Sequence, residues 1–228
     1  VEYKIFIKDA FAHMEKYAYQ SGMKLIISEL ETMAHNNDDR ALLFDYKSAY
    51  EHICNQNISA ALEYELQAVN LCDENTNPHL AANIYANTGG LYHSTGDVLN
   101  AKIYMEKAYH ILTKNSLQYT TDSIAQICNY ANLAANLGEP EKAITALKKC
   151  AEHTEENSSI YAELLWNIGI IYLQMNDKAN AVPHLKKALN IYAEIYEDEP
   201  GFTQRKISEL QDAVSAYGIN AQNLISEN

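Results

Sequence analysis

The chain has 228 residues, and its 30 Asp and Glu against 17 Lys and Arg give a formal net charge of -13 at pH 7. Such a field repels the phosphates that dominate nucleic-acid affinity, which excludes direct nucleic-acid binding through this segment. Only 8 Gly and 4 Pro are present, too few for a turn-dense all-β protein, so an all-helical chain is expected.

No apolar run approaches the ~20 residues that cross a bilayer. The start "VEYKIFIKDAF" is neither basic nor followed by a signal-type cleavage site. A soluble, cytoplasmic chain without membrane contact is expected, and its beginning at Val1 reads as a piece cut from a longer protein. Cys54, Cys72, Cys128 and Cys150 stand far apart, with no C-x-x-C pair and no histidine at metal-ligand spacing, so reduced core thiols are expected, with no metal or cofactor.

In chain order, the first segment, "SGMKLIISELETMA", reads as the second helix of a degenerate hairpin over residues 1–38. Stepping back by the repeat length puts its weak triplet at Ser21, Leu25 and Ser28. Next comes "RALLFDYKSAYEHIC", with apolar residues at Leu42, Tyr46, Ala49 and Ile53. Its partner, "SAALEYELQAVNLC", is anchored on Ala61. There Glu65 departs from a large apolar position, and Tyr64 is expected to replace it. Three further segments align without gaps: "YANTGGLYHSTGDVLNAKIYMEKAYHIL", "ICNYANLAANLGEPEKAITALKKCAEHT" and "LWNIGIIYLQMNDKANAVPHLKKALNIY".

In each of the three, a large apolar residue leads (Tyr85, Ile127, Leu165) and a small one follows four places on (Gly89, Ala131, Gly169). After a turn comes a small-large-small triplet: Ala101, Met105, Ala108; Ala143, Leu147, Cys150; Ala181, Leu185, Ala188. The small residues let two helix backbones approach, and the large one fills the groove between them. Gly96 and Gly138 suit the left-handed end of a first helix, while Asp97 and Asp177 suit the cap of a second. Pro140 fits a first helical turn, whereas Pro183 lies deeper, where the helix is expected to start late or bend. After Pro200, apolar spacing at Phe202, Ile207, Leu210 and Val214 predicts a capping helix over 202–217, with a tail over 218–228.

This pattern resembles the tetratricopeptide repeat, well over residues 40–196 and weakly over 1–38. The units run near 40 residues, longer than the 34 of the consensus. They look like those of kinesin light chains, of sensor arrays in signalling NTPases and of bacterial peptide-sensing regulators. The resemblance implies a right-handed superhelical solenoid of about five antiparallel helical hairpins, forming one domain. Its repeats span 39–76, 78–115, 118–156 and 158–197.

In such a solenoid the first helices line the concave side. Two places after the lead stand Asn87, Asn129 and Asn167, with Lys47 in the degenerate unit. An asparagine column offers donors and acceptors that match an extended peptide backbone. Around it fall Trp166, Asn132, His93, Tyr46, Tyr50, Asn136 and Gln174. Trp166 lies off the packing stripe, so its flat face is expected to hold an apolar or basic side chain. The bland alternative for each asparagine is a structural or solvent-facing amide.

No G-x-S-x-G, GK[ST], H-E-x-x-H or dinucleotide motif occurs, and the eight histidines are scattered, so no enzyme is expected. The leading reading is a scaffold or sensor module that holds a peptide or protein segment. Alternatives are the ligand-sensing region of a bacterial peptide-responsive regulator, and a repeat protein that self-associates as a homodimer through an end helix.

Overall fold

The structure, a computed structural model, describes residues 19–197, 200–215 and 217–218. It is all-helical over these residues. The helices are α1 (Tyr19–Met33), α2 (Asn37–Ile53), α3 (Ile58–Leu71), α4 (Pro78–Ser94), α5 (Val98–Lys114), α6 (Thr121–Asn136), α7 (Pro140–Ala151), α8 (Ser159–Gln174), α9 (Lys178–Ile195) and α10 (Pro200–Ser215). The first helix expected in the N-terminal hairpin, the tail beyond Gly218, and the side chains of Phe202 and Leu210 lie outside the described residues.

Local chemistry sets the helix starts. The side chains of Asn36, Asn57, Asn77, Asp97, Thr120, Ser158 and Asp177 each accept a hydrogen bond from the backbone N–H three residues on. These bonds satisfy donors that a helix otherwise leaves orphaned. Among the helices whose capping residue is described, α7 is the exception, with no side-chain cap bond at Glu139 and Pro140 in its first turn. Gly96 and Gly138 take φ of 80° and 83° at the turns, while Asn176 takes φ 59° at the equivalent turn after α8. Helix α9 starts directly after its Asp177 cap, so it does not start late, and Pro183 lies inside it.

The chain divides between Leu117 and Gln118 into two compact units. In the first, α2 pairs with α3 and α4 with α5, while α1 packs on α2 and α3 on α4. In the second, α6 pairs with α7 and α8 with α9; α7 packs on α8, α6 touches α8, and α10 closes on α9. Each pair is the expected helical hairpin.

Packing follows the small-large-small logic. Ala101, Ala143, Leu147, Ala181, Leu185 and Ala188 are all buried. A Cβ added at Gly169 would lie 2.6 Å from Leu185 Cγ, and one at Gly89 2.6 Å from Met105 Cγ. Glycine at these two points is what lets the paired helices close. In the second unit Ile207 and Val214 of α10 pack on the cluster of Leu173, Leu185 and Leu189.

Three expectations are corrected. The triplet in α1 is not Ser21, Leu25, Ser28: Leu25 is 60% exposed, whereas Met23, Ile26 and Leu30 are each 1% exposed. A fixed step of 40 residues misses the phase because the units vary in length, and the local apolar spacing of three and four is the better guide. In α2, Ile53 is exposed while Ala41, Leu43 and Ser48 are buried, because this helix packs on two sides. Leu43 joins Ile26 and Leu30, and Ala41 joins Ala68, Leu80 and Ile84. Glu65, 1% exposed, itself occupies the large position of the α3 triplet between Ala61 and Ala68. Tyr64 does not replace it; it sits beside Phe44 with ring centroids 6.2 Å apart.

Candidate functional site

The three asparagines two places after the lead share a helical phase but not their surroundings. Asn87 is exposed, and its Nδ2 donates to Asp45 Oδ1 at 2.8 Å, tying α4 to α2. Asn167 is buried on α8. Its Oδ1 accepts from Asn132 Nδ2 at 2.9 Å, and its own Nδ2 donates to the Glu163 carbonyl at 2.8 Å and Glu163 Oε1 at 3.3 Å. Both ends of that amide are thus engaged within the second unit. Asn129 is exposed on α6 and faces a cavity.

That cavity, of about 520 Å³, lies over α6 and α8 and is bounded by the end of α9 and by α10. Ile124, Ala125 and Ile160 provide apolar wall, while Thr121, Asn129, Ser159 and Glu163 provide polar groups. Tyr192, Tyr196 and Lys206 complete the rim, and the Cys128 thiol lines it as well. Burial pushes that thiol up to about 12, so it stays neutral and serves as wall rather than nucleophile. Tyr192 Oη donates to Glu163 Oε2 at 2.7 Å. Burial and the neighbouring Glu163 raise the Tyr192 phenol, so it too stays protonated and keeps donating.

Trp166 has an occupant for its ring from within the unit. Lys206 Nζ lies 5.5 Å from the Trp166 ring and 5.6 Å from the Tyr192 ring, and the two rings meet edge to face at 6.5 Å. A basic side chain of α10 thus stands over this ring. Gln174 Nε2 donates to Asn136 Oδ1 at 3.3 Å, another bond between α8 and α6.

In the first unit, Lys47 and Tyr50 line a smaller cavity of about 310 Å³ with Lys24, Ile27, Glu31 and Tyr64. Lys47 pairs with Glu31 at 2.7 Å, and Tyr50 Oη accepts from Gln20 Nε2 at 3.2 Å. His93, exposed near the end of α4, lines neither cavity. Of the expected site residues, then, Asn129 alone lines the larger cavity, and Lys47 and Tyr50 share the smaller one. Tyr192, Tyr196 and Lys206 lie on or after α9 and on α10, outside the first helices in which the groove positions are counted, and Glu163 of α8 stands two places before the lead Leu165, outside the counted phase. The i, i+4 spacing of Tyr192 and Tyr196 was the available signal.

Successive helical hairpins with small-large-small second helices define a helical-repeat scaffold. Residues 82–111 and 123–194 match the tetratricopeptide repeat, so these two stretches carry repeats of that family. Repeats of this family are in general non-enzymatic scaffolds for protein interaction. The fold is similar to BtubC (BKLC) from P. vanneervenii, with TM-score 0.73 and 20% identity over 90% of this chain and 86% of that one. It is similar to the kinesin light chain nearly identical TPR-like repeats of Podosopora anserina, with TM-score 0.60 and 12% identity over 77% and 86%. It is also similar to a Rap protein complexed with competence and sporulation factor, with TM-score 0.61 and 17% identity over 94% of this chain and 63% of that one. No curated protein matches by sequence. No helix among the described residues is long and apolar enough to cross a membrane.

Proposed function

We propose that the second unit binds an extended peptide segment in the cavity over α6 and α8. The observation that carries this reading is the exposed Asn129 amide at a 520 Å³ concavity that combines apolar wall with Glu163, Tyr192 and Lys206. A mixed lining of this kind suits a peptide, whose backbone needs donors and acceptors and whose side chains need apolar contact. A similar fold in a Rap protein complexed with competence and sporulation factor supports ligand capture by helical repeats of this kind. Asn129 pairs with the peptide backbone, Tyr196 and Ile160 take side chains, and Asn167 acts from behind by holding Glu163 in place.

The test uses a phage-displayed library of random nonapeptides panned against the full chain. Enriched peptides are expected to lose affinity about three- to tenfold on Asn129→Ala, the worth of one hydrogen bond. They are expected to lose binding altogether on Ala125→Trp, which fills the cavity. Enrichment that survives Ala125→Trp, or no enrichment at all, overturns the reading.

A further inference from the structure

One hairpin breaks the apolar pattern at two positions together. Counting 40 residues back from Tyr85 and Met105 reaches Asp45 and Glu65. In the second unit the same two positions hold Ile127 with Leu147, and Leu165 with Leu185, all buried. The α2–α3 hairpin has therefore exchanged an apolar lead and an apolar triplet centre for two carboxyl groups. Single exchanges of this kind are costly, because a lone buried charge has no compensation.

The two acids meet. Glu65, 1% exposed, lies within hydrogen-bonding reach of Asp45 and Ser48 of α2, and its Oε1 has no hydrogen-bond partner. Asp45 Oδ1 accepts from Asn87 Nδ2 of α4 at 2.8 Å. Two carboxyls bond to each other only if one carries a proton. Asn87 donates to Asp45 and so favours its ionised form, which leaves Glu65 as the proton carrier. Cys72 at the end of α3, near enough to feel the Glu65 charge, adjoins Asp38 of α2 and Tyr85 of α4; the same helices also carry the acids Asp39, Glu51 and Glu63 and the phenols Tyr46, Tyr50, Tyr64 and Tyr92. The cations of these helices are Arg40, Lys47 and His52 of α2 and His79 and His93 of α4; Lys47 is engaged with Glu31 at 2.7 Å, and no lysine, arginine or histidine among the described residues pairs with either carboxyl.

We propose that Asp45 and Glu65 form a proton-sharing pair that makes the junction of α2, α3 and α4 a pH-sensitive joint, closed while the pair holds one proton and loosened once both carboxyls ionise. Burial raises both groups, and the neighbouring Asp45 charge raises Glu65 further. The folded chain thus holds a proton that the unfolded chain releases near ~4.3. The stabilising contribution is complete below that value and is lost as pH rises through the folded value of Glu65. Acidification tightens this joint, and alkalinisation loosens it.

Amide hydrogen exchange of the full chain from pH 5.5 to 8.5, expressed as protection factors, tests this. Peptides from residues 37–71 are expected to lose protection as pH rises, by up to about tenfold per pH unit for one proton. Peptides from 159–195 serve as the internal reference. Glu65→Gln copies the protonated acid and is expected to flatten the pH dependence of 37–71; Glu65→Leu restores the repeat's apolar residue and is expected to do the same. An unchanged slope in either variant, or a flat profile in the parent chain, overturns the proposal. Failure of Glu65→Gln to fold at pH 5.5 also overturns it, because the parent pair is protonated there.

Discussion

The α2–α3 hairpin of the first unit and the α8–α9 hairpin of the second are built on one plan with different fillings. Both have alanines flanking the triplet centre, Ala61 and Ala68 in one, Ala181 and Ala188 in the other, and all four are buried. The centre is Glu65 in the first and Leu185 in the second. Opposite Leu185 stands Gly169, whose missing Cβ makes room for it; the position 40 residues before Gly89 is Ala49. What the repeat requires is therefore the small residues that set the helix spacing. The filling between them varies, provided that polar replacements come with their own partners.

Variants at equivalent positions break this comparison with graded effects. Leu185→Ala is expected to lower the stability of the second unit by about 2–5 kcal/mol in urea unfolding at pH 7, through lost burial plus a cavity. Glu65→Ala, at the matching point, is expected to cost far less at that pH. A loss as large as that of Leu185→Ala would show that Glu65 is a net stabiliser there. Next comes Gly169→Val, where the added Cβ meets a fully buried Leu185 that has nowhere to move. Overpacking of this kind costs about 1–3 kcal/mol.

Asn167→Ala and Asn129→Ala sharpen the comparison within the second unit. The first strips the acceptor from Asn132 Nδ2 and one of the donors from Glu163, which keeps Tyr192, with an expected loss of about 1–3 kcal/mol. The second is expected to stay within about 0.5 kcal/mol of the parent chain while weakening peptide binding. Equal thermal shifts for the two would mean that Asn129 also holds structure. The smallest effect is expected at the exposed caps. The bonds from Asn100 and Asn180 hold the Asp97 and Asp177 carboxyls below their ordinary values. Their contribution is present above the unfolded value and is lost as pH falls through the folded one. Asp177→Asn should remove part of the acid sensitivity of α9 melting, opposite in sign to the effect of Glu65.

Much of the hairpin architecture was legible because its signals are local. Ala101–Met105–Ala108 and its two counterparts announce close helix pairing, and Asp97, Asp177, Gly96 and Pro140 mark helix ends by chemistry that needs no tertiary contact. What escaped depends on contacts between elements. A glutamate reads as solvated, and only the fold brings Glu65 against Asp45 and Ser48. Asn167 looks like a groove amide by phase, yet a neighbouring first helix brings Asn132 onto it. Trp166 meets Lys206 only because α10 folds back onto α8 and α9, and no spacing within α8 announces that. In α1, Met23, Ile26 and Leu30 carried the true stripe, but a register extrapolated from distant repeats hid it.

The placement of the cysteines gives the two units separate built-in reporters. Cys128 and Cys150 are both buried in the second unit, and burial lifts their thiols to about 12 and about 11. A maleimide at neutral pH therefore finds few thiolates there and little access. Cys54 and Cys72, at the ends of α2 and α3 in the first unit, are both partly exposed and are the side chains such a reagent reaches first. With Cys54 and Cys72 replaced by Ser, the rate at which the two buried thiols are tagged becomes a clock for opening of the second unit. Cys128 times the wall of the cavity, and Cys150 times the second helix of the α6–α7 hairpin, in a single sample followed by mass spectrometry.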